Sequence, residues 1–270
     1  MNLPNFSKIF HQKSKNTNKN SATTPLKYED YPDEWKTTYY KAYPRLKKID
    51  LDDPPSPPLL TPSHAKNYGG NGKTAENEKA SEGRSEPPSA DFFDLIKKRQ
   101  SRREFGDQPI NKKELSLLLK YSCGNIGPLH DGRYRRAQPS GGARFPIEIY
   151  PIIFRSAQAR KDADSTQINA DTLKSGLYHY NVKEHKLDVL WDREFGGEEI
   201  DQLFNYDWVK NSAIAIIMTA VFWRNQNKYG ERGYRMILQE SGHIGQNIYL
   251  VSEALGLKCC ALAGTKDENL

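Results

Sequence analysis

Apolar positions become regular along this chain only after Asp91. In "DFFDLIKKRQ", Phe92, Leu95 and Ile96 fall at helical spacing. "NKKELSLLLKYSCG" predicts a helix capped by Asn111, carried by Leu115, Leu118 and Leu119, and stopped at Gly124. "PIEIYPIIF" reads as a strand, and "GLYHYNVKEHKLDVLW" as two short strands about a polar turn. "EEIDQLF" reads as a helix. "SAIAIIMTAVF" is continuous and rich in Ile and Ala, which predicts a strand buried on both faces. The most regular stretch is "GYRMILQESGHIGQNIYLVSEALGL". There Ile237, Ser241, Ile244, Ile248, Val251 and Leu255 step by four and three residues, one helical face that ends at Gly256. "KCCALAG" follows as a predicted strand. Ser241, Gly245 and Ser252 keep parts of the long helix small. A mid-helix Gly costs about 1 kcal/mol against Ala, so Gly242 and Gly245 predict tight packing, at the centre of the fold or at a dimer interface. Helices and strands interleave around an inserted hairpin, which gives an α+β or α/β class.

The segments before Asp91 are different in kind. Residues 1–50 carry ten Lys/Arg against five Asp/Glu, mixed with Trp and Tyr, and read as an element that docks on something. Residues 51–90 are rich in Pro, Gly, Ser and charge. They bury too little apolar surface to offset ordering and are expected to be a disordered linker. The globular core is therefore expected over 91–270. A membrane span needs roughly 18–20 consecutive apolar residues, and the chain has no such run. No secretory signal is legible at the N-terminus, so a cytoplasmic protein is expected. Net charge is +6. Without a zinc spacing, an RNP motif or a basic helix, this favours an acidic ligand or plain solvation over nucleic acid. Cys123, Cys259 and Cys260 have no metal-ligand spacing and read as buried, inert thiols.

Four stretches could carry chemistry. In "KKRQSRREF", Arg99, Ser101 and Arg103 alternate, and in extended chain they point to one side. Two guanidinium forks and a hydroxyl make an oxyanion or phosphate clamp; the alternative is a solvated basic turn. In "RRAQPSGGARFPIE", Pro139, Ser140, Gly141 and Gly142 precede a strand, and the two glycines let something approach bare main chain; the alternative is an ordinary turn. In "NKYGERGYR", Lys228 sits beside Tyr229 and can lower the phenol's pKa or act as a base if desolvated; the alternative is a surface turn. In "ESGHIGQN", His243, Gln246 and Asn247 share a helical face and read as a core polar network. A metal site is not expected from a lone His.

Taken in order, "RQSRREF", "RAQPSGGARFPIEIY", "GLYHYNVKEHKL", "NKYGERGYRMILQESGHIGQNIYLVSEALGL" and "CALAG" resemble the nitroreductase-like flavoproteins. Within them the chain is most similar to the SagB-type dehydrogenases, the McbC-like oxidases of thiazole/oxazole-modified peptides. The N-terminal "FHQKSKN" and "WKTTYYKAYPRLKKIDL" resemble that subfamily's leader. The resemblance implies an α+β fold with a central, mostly antiparallel sheet surrounded by helices, and a long central helix at a homodimer interface. It implies FMN, with Arg99 and Ser101 on the phosphate and Arg103 near the flavin N1/O2 edge. Pro139, Ser140, Gly141 and Gly142 would line the cofactor from the second subunit, and main chain near Ala263 and Gly264 would face N5 and O4. Lys228 and Tyr229 would be the base in oxidation of a thiazoline or oxazoline of a ribosomal peptide, within a complex that includes a cyclodehydratase. The alternatives are an NAD(P)H-dependent nitro or quinone reductase and a non-enzymatic scaffold subunit. The family pattern continues past "ALAG" with a helix, a strand and a tail, so the resemblance also implies that a C-terminal tail is missing here.

Overall fold

The computed structural model describes residues 40–52, 92–106, 108–128, 134–154, 173–266 and 269. The 53–90 part of the expected linker and the aromatic positions up to residue 39 lie outside the described residues.

Among the described residues, seven strands and five α-helices follow in the order β1 (Lys48–Asp50), α1 (Phe92–Lys98), α2 (Lys112–Cys123), β2 (Asn125–Pro128), β3 (Tyr134–Arg136), β4 (Ile147–Ile153), β5 (Gly176–Asn181), β6 (Lys186–Trp191), α3 (Gly197–Leu203), β7 (Ile214–Ala220), α4 (Trp223–Tyr229) and α5 (Arg232–Ala254). Five strands form one sheet in the order β1-β6-β5-β4-β7, while β2 and β3 pair separately. Every pairing is antiparallel. Of the two classes that periodicity left open, the structure is therefore α+β.

Local chemistry accounts for the helix ends. Asn111 caps α2: its side chain accepts from the Glu114 amide at 2.8 Å, and the Glu114 carboxylate accepts from the Asn111 amide at 3.0 Å, a reciprocal capping box. Helix α2 buries Leu115, Leu118 and Leu119. Helix α5 buries Ile237 and Ile244 in the same core, and the two helices pack together over the sheet. Past α5 the chain reverses at Gly256, whose φ is +70°.

The described end of the N-terminal segment joins the core. β1 pairs with β6, Lys48 opposite Asp188, and Leu51 is buried in the main core.

Three sequence expectations are corrected. β7 is an edge strand rather than one buried on both faces: its residues are half-buried and Met218 and Thr219 are exposed. The doubly covered strand is β4, which lies between β5 and β7. The "KCCALAG" segment forms no strand among the described residues; only Thr265, just beyond it, bridges to Phe204. A Cβ added at Gly242 or Gly245 would meet nothing within 4 Å among the described residues, which sets aside tight packing at the centre of the fold, the first of the two settings expected for these glycines. The tight contact is at Gly233, where a Cβ would stand 3.0 Å from the Asn225 main chain. No helix among the described residues is long and apolar enough to cross a membrane.

Candidate functional site

The turn between β3 and β4 is built under constraint. Gly142 has φ +64°, and two residues with side chains, Ala143 and Phe145, also have positive φ (+54° and +48°). Such geometry is held only where surrounding contacts determine it. Here guanidinium groups provide much of the hold. Arg144, buried, donates from Nε to the Arg224 carbonyl at 2.7 Å and from its terminal nitrogen to Asn227 Oδ1 at 3.1 Å. Arg224, also buried, donates to the Phe145 carbonyl at 2.8 Å and pairs with Glu148 at 2.5 Å. The turn and helix α4 are thereby laced together in both directions. Arg136 lies over the Phe145 ring, 4.4 Å from its centroid.

Behind this lacing a chain of polar side chains, buried from Glu148 to Asp188, crosses the sheet. Glu148 accepts at 2.9 Å from His179, whose other ring nitrogen lies 3.0 Å from Asp188, and Asp188 pairs with Lys48 at 2.7 Å. Burial alone would raise the Glu148 carboxyl, but His179 and Arg224 together hold it below its ordinary value.

Lys228 and Tyr229 close α4, not a loop. Both are half-buried, and Lys228 Nζ lies 5.4 Å from the Tyr229 ring centroid. Burial first, and the neighbouring Arg144 charge second, lower the Lys228 pKa. The sequence question about the glycines has an answer inside the chain. A Cβ at Gly142 would run into the Tyr229 hydroxyl, and one at Gly141 would stand 3.0 Å from the Met236 sulfur. Gly142→Ala is therefore expected to displace Tyr229 and to add roughly 1–2 kcal/mol of left-handed backbone cost; thermal denaturation and the ring's near-UV signal check it.

The turn and α5 flank a half-open cavity of about 250 Å³. Pro139, Ser140 and Gly141 line one side, and Met236, Gln239, Glu240 and His243 the other. Glu240 is a buried carboxylate, the residue that sequence reasoning missed. It sits one turn from His243 on the cavity side of the helix, beside the apolar Ile237–Ile244 face, and that i, i+3 pair of polar residues is the signal that points to it. His243 is exposed rather than part of a core network, Gln246 is exposed, and Asn247 alone reaches inward, donating to the Ser122 carbonyl at 3.0 Å.

The basic stretch gathers elsewhere. Ser101 Oγ and Tyr249 Oη lie 2.8 Å apart, and the Arg99 guanidinium stands 5.4 Å from the Tyr249 ring centroid. Tyr249 Oη also accepts from the Ala261 amide at 2.7 Å. Arg102 turns away to Glu253, at 3.2 Å, while Arg103 is exposed. Ala263 is exposed; the Gly264 carbonyl accepts from the Asn205 amide at 2.9 Å, and Gly264 packs on the Tyr206 ring. The predicted residues thus form two groups. Pro139–Gly142 meet Tyr229 and the middle of α5, whereas Arg99, Ser101 and Ala261 gather at Tyr249 toward its end, and Gly264 lies apart on Asn205 and Tyr206. Nine residues, about 13 Å of helix, separate Glu240 from Tyr249. Of the thiols expected to be buried, Cys123 is buried while Cys259 and Cys260 are only half-buried; burial pushes Cys123 up to about 12 and Cys259 up to about 11.

Comparison with known proteins agrees with this architecture. The model of the nitroreductase family matches residues 96–270. The chain is 29% identical over 177 residues to a nitroreductase-family protein of Methanocaldococcus jannaschii, covering 66% of this chain and 80% of that one. It is 31% identical over 154 residues to the trifolitoxin-processing protein TfxB of Rhizobium leguminosarum bv. trifolii, covering 53% of this chain and 37% of TfxB. It is 28% identical over 164 residues to the microcin B17-processing protein McbC of Escherichia coli, covering 58% of this chain and 54% of McbC. The chain therefore spans about half or less of the two peptide-processing relatives. With its family model covering well over half of the sequence, and with an α+β fold built on an antiparallel sheet, this chain belongs to the nitroreductase family and is similar within it to McbC and TfxB.

Proposed function

We propose that the chain is an FMN-dependent oxidoreductase that oxidises thiazoline or oxazoline rings of a ribosomal peptide precursor to thiazoles or oxazoles. The observation that carries this reading is the pairing of Lys228, its pKa lowered, with Tyr229, whose hydroxyl packs on Gly142 in the turn that lines the cavity. Similarity to two toxin-processing proteins supports the peptide class of substrate.

The residues fit FMN in their chemistry. Arg99 and Ser101 offer a cation and a hydroxyl to a phosphate. The cavity offers a largely apolar wall, Met236 and Pro139, with a few polar groups. At about 250 Å³ it is smaller than the roughly 300–1,000 Å³ of whole ligand sites. It therefore takes part of the cofactor, and the Arg99–Ser101 group of a second copy completes the site in a homodimer. Arg103, Ala263 and Gly264 belong to that second set. FMN, when bound, supplies the two-electron acceptor.

The chain's own residues do the rest. Lys228, its pKa lowered, takes the ring's α-proton at Nζ, with the Tyr229 ring centroid 5.4 Å away. The Pro139–Gly142 turn positions the flat group, and the buried Arg144–Arg224 lacing keeps that turn from moving. The peptide arrives from a cyclodehydratase partner. A second reading, an NAD(P)H-dependent nitro or quinone reductase, is favoured by the similarity to the M. jannaschii protein, 80% of which the chain covers. Anaerobic mixing separates them. If an azoline-bearing peptide bleaches bound flavin and NAD(P)H does not, the dehydrogenase stands; the reverse result replaces it with the reductase.

A further inference from the structure

Glu240 is 1% exposed, yet it stands at the wall of the cavity. Both of its oxygens serve the turn: Oε2 accepts from the Ser140 hydroxyl at 2.5 Å and Oε1 from Gln138 Nε2 at 3.3 Å. The Ser140 oxygen in turn accepts from the Phe145 amide at 2.9 Å. One carboxylate on the long helix thus fastens the start of the turn directly and its end through a single hydroxyl. Between those points the chain passes through left-handed conformations at Gly142 and Ala143, and again at Phe145. Residues with a Cβ hold such angles only under constraint.

We propose that Glu240 is a positioning residue of the candidate site, whose carboxylate holds the Pro139–Gly142 turn in the shape that lines the cavity. Glu240 is poorly explained as a stabiliser. Burial raises its pKa, more than Ser140, Gln138, Arg136 and Arg224 lower it. A carboxyl whose folded pKa lies above its ordinary value favours the fold when protonated and disfavours it as pH rises through that value. A charged Glu240 is therefore held at the expense of stability, the pattern of a residue kept for a site. The arrangement also explains why Ser140 stands between the two residues it joins: a hydroxyl donates and accepts at once, which Ala or Val cannot do.

The cofactor part of this inference rests on the flavin reading, so the test has a cofactor-free arm. Hydrogen exchange over residues 139–147 is measured in the full chain without added flavin. The variants are Ser140→Ala, Glu240→Ala, their double and Glu240→Gln. Loss of a hydrogen bond to a charged group is expected to speed exchange of the Phe145 amide by about tenfold in each alanine variant. The double variant is no faster than the faster single, because both break one chain of bonds. Glu240→Gln, which keeps an acceptor without the charge, shows a smaller rise and a melting temperature no lower than wild type; it also serves if Glu240→Ala does not fold. FMN Kd rises in the same order as exchange. Unchanged Phe145 exchange in Glu240→Ala and Glu240→Gln overturns the proposal, as does a double variant whose effects multiply. If wild type binds no FMN, the flavin reading falls, while exchange still decides the role of Glu240.

Discussion

Turnover of an azoline peptide is expected to fall by roughly 10²–10⁴-fold in the Lys228→Ala/Tyr229→Phe variant, with FMN still bound. The size follows from what a positioned general base contributes. The geometry explains why the pair is suited to it. Lys228 is half-buried at the end of a short helix, and burial and Arg144 both act against its charge. A larger neutral fraction is then available near neutral pH than for a solvated lysine. The sign of the pH effect follows: rate rises with pH through the lowered Lys228 value. Lys228→Arg, charged throughout that range, does not restore it. Tyr229 has a second task, since its hydroxyl packs on Gly142. Tyr229→Phe alone therefore removes both the phenol proton and the contact on Gly142 while keeping the ring. Rates of peptide oxidation with the flavin content of each variant check the prediction. Full turnover in the double variant, with flavin loaded, removes the pair from the chemistry.

Arg224→Met is expected to cost about 3–5 kcal/mol of stability, because it strands a buried carboxylate. For a domain of this size that is a fall in Tm of roughly 6–20 °C. Arg224 pairs with Glu148 and donates to the Phe145 carbonyl, both in the interior. Methionine fills the space and supplies neither interaction, leaving Glu148 to His179 alone. The pH dependence has a definite direction. Glu148 is held below its ordinary value of 4.5, so its contribution is present above that value and is lost as pH falls below it. Acid unfolding of wild type should steepen below about pH 4.5, and Arg224→Met should flatten that limb. Circular dichroism against temperature at several pH values measures both. A loss of less than about 1 kcal/mol would place the pair among weak, surface-like interactions.

The helices were legible because their signals are local. Asn111 and Glu114 announce α2, and the 4-3 stepping of Ile237 to Leu255 announces α5. The hairpin of β5 and β6 was legible by alternation. Position within the sheet was not. The apolar run of β7 looks central because hydrophobicity reports burial of side chains, not how many neighbours a strand has. The edge faces of Met218 and Phe222 are exposed. β2 and β3 left little trace, being three or four residues long with Gly127 and Pro128 in the first. At the site, residue types were legible and partnerships were not. Nothing in the alternation of Arg99 and Ser101 names Tyr249, nearly 150 residues away. Nothing near Ser140 names Glu240, which lies 100 residues further on. The glycines drew attention as an opening for a ligand, and at Gly141 and Gly142 the structure places Met236 and Tyr229 there instead.

The most direct measurement is a fluorescence titration of the purified full-length chain with FMN, together with its visible spectrum as isolated. A flavin-coloured protein that binds FMN saturably, and binds it more weakly after Arg99→Ala and Ser101→Ala, is the predicted result. A colourless protein that stays so in excess FMN would contradict the assignment of a flavin site to this cavity.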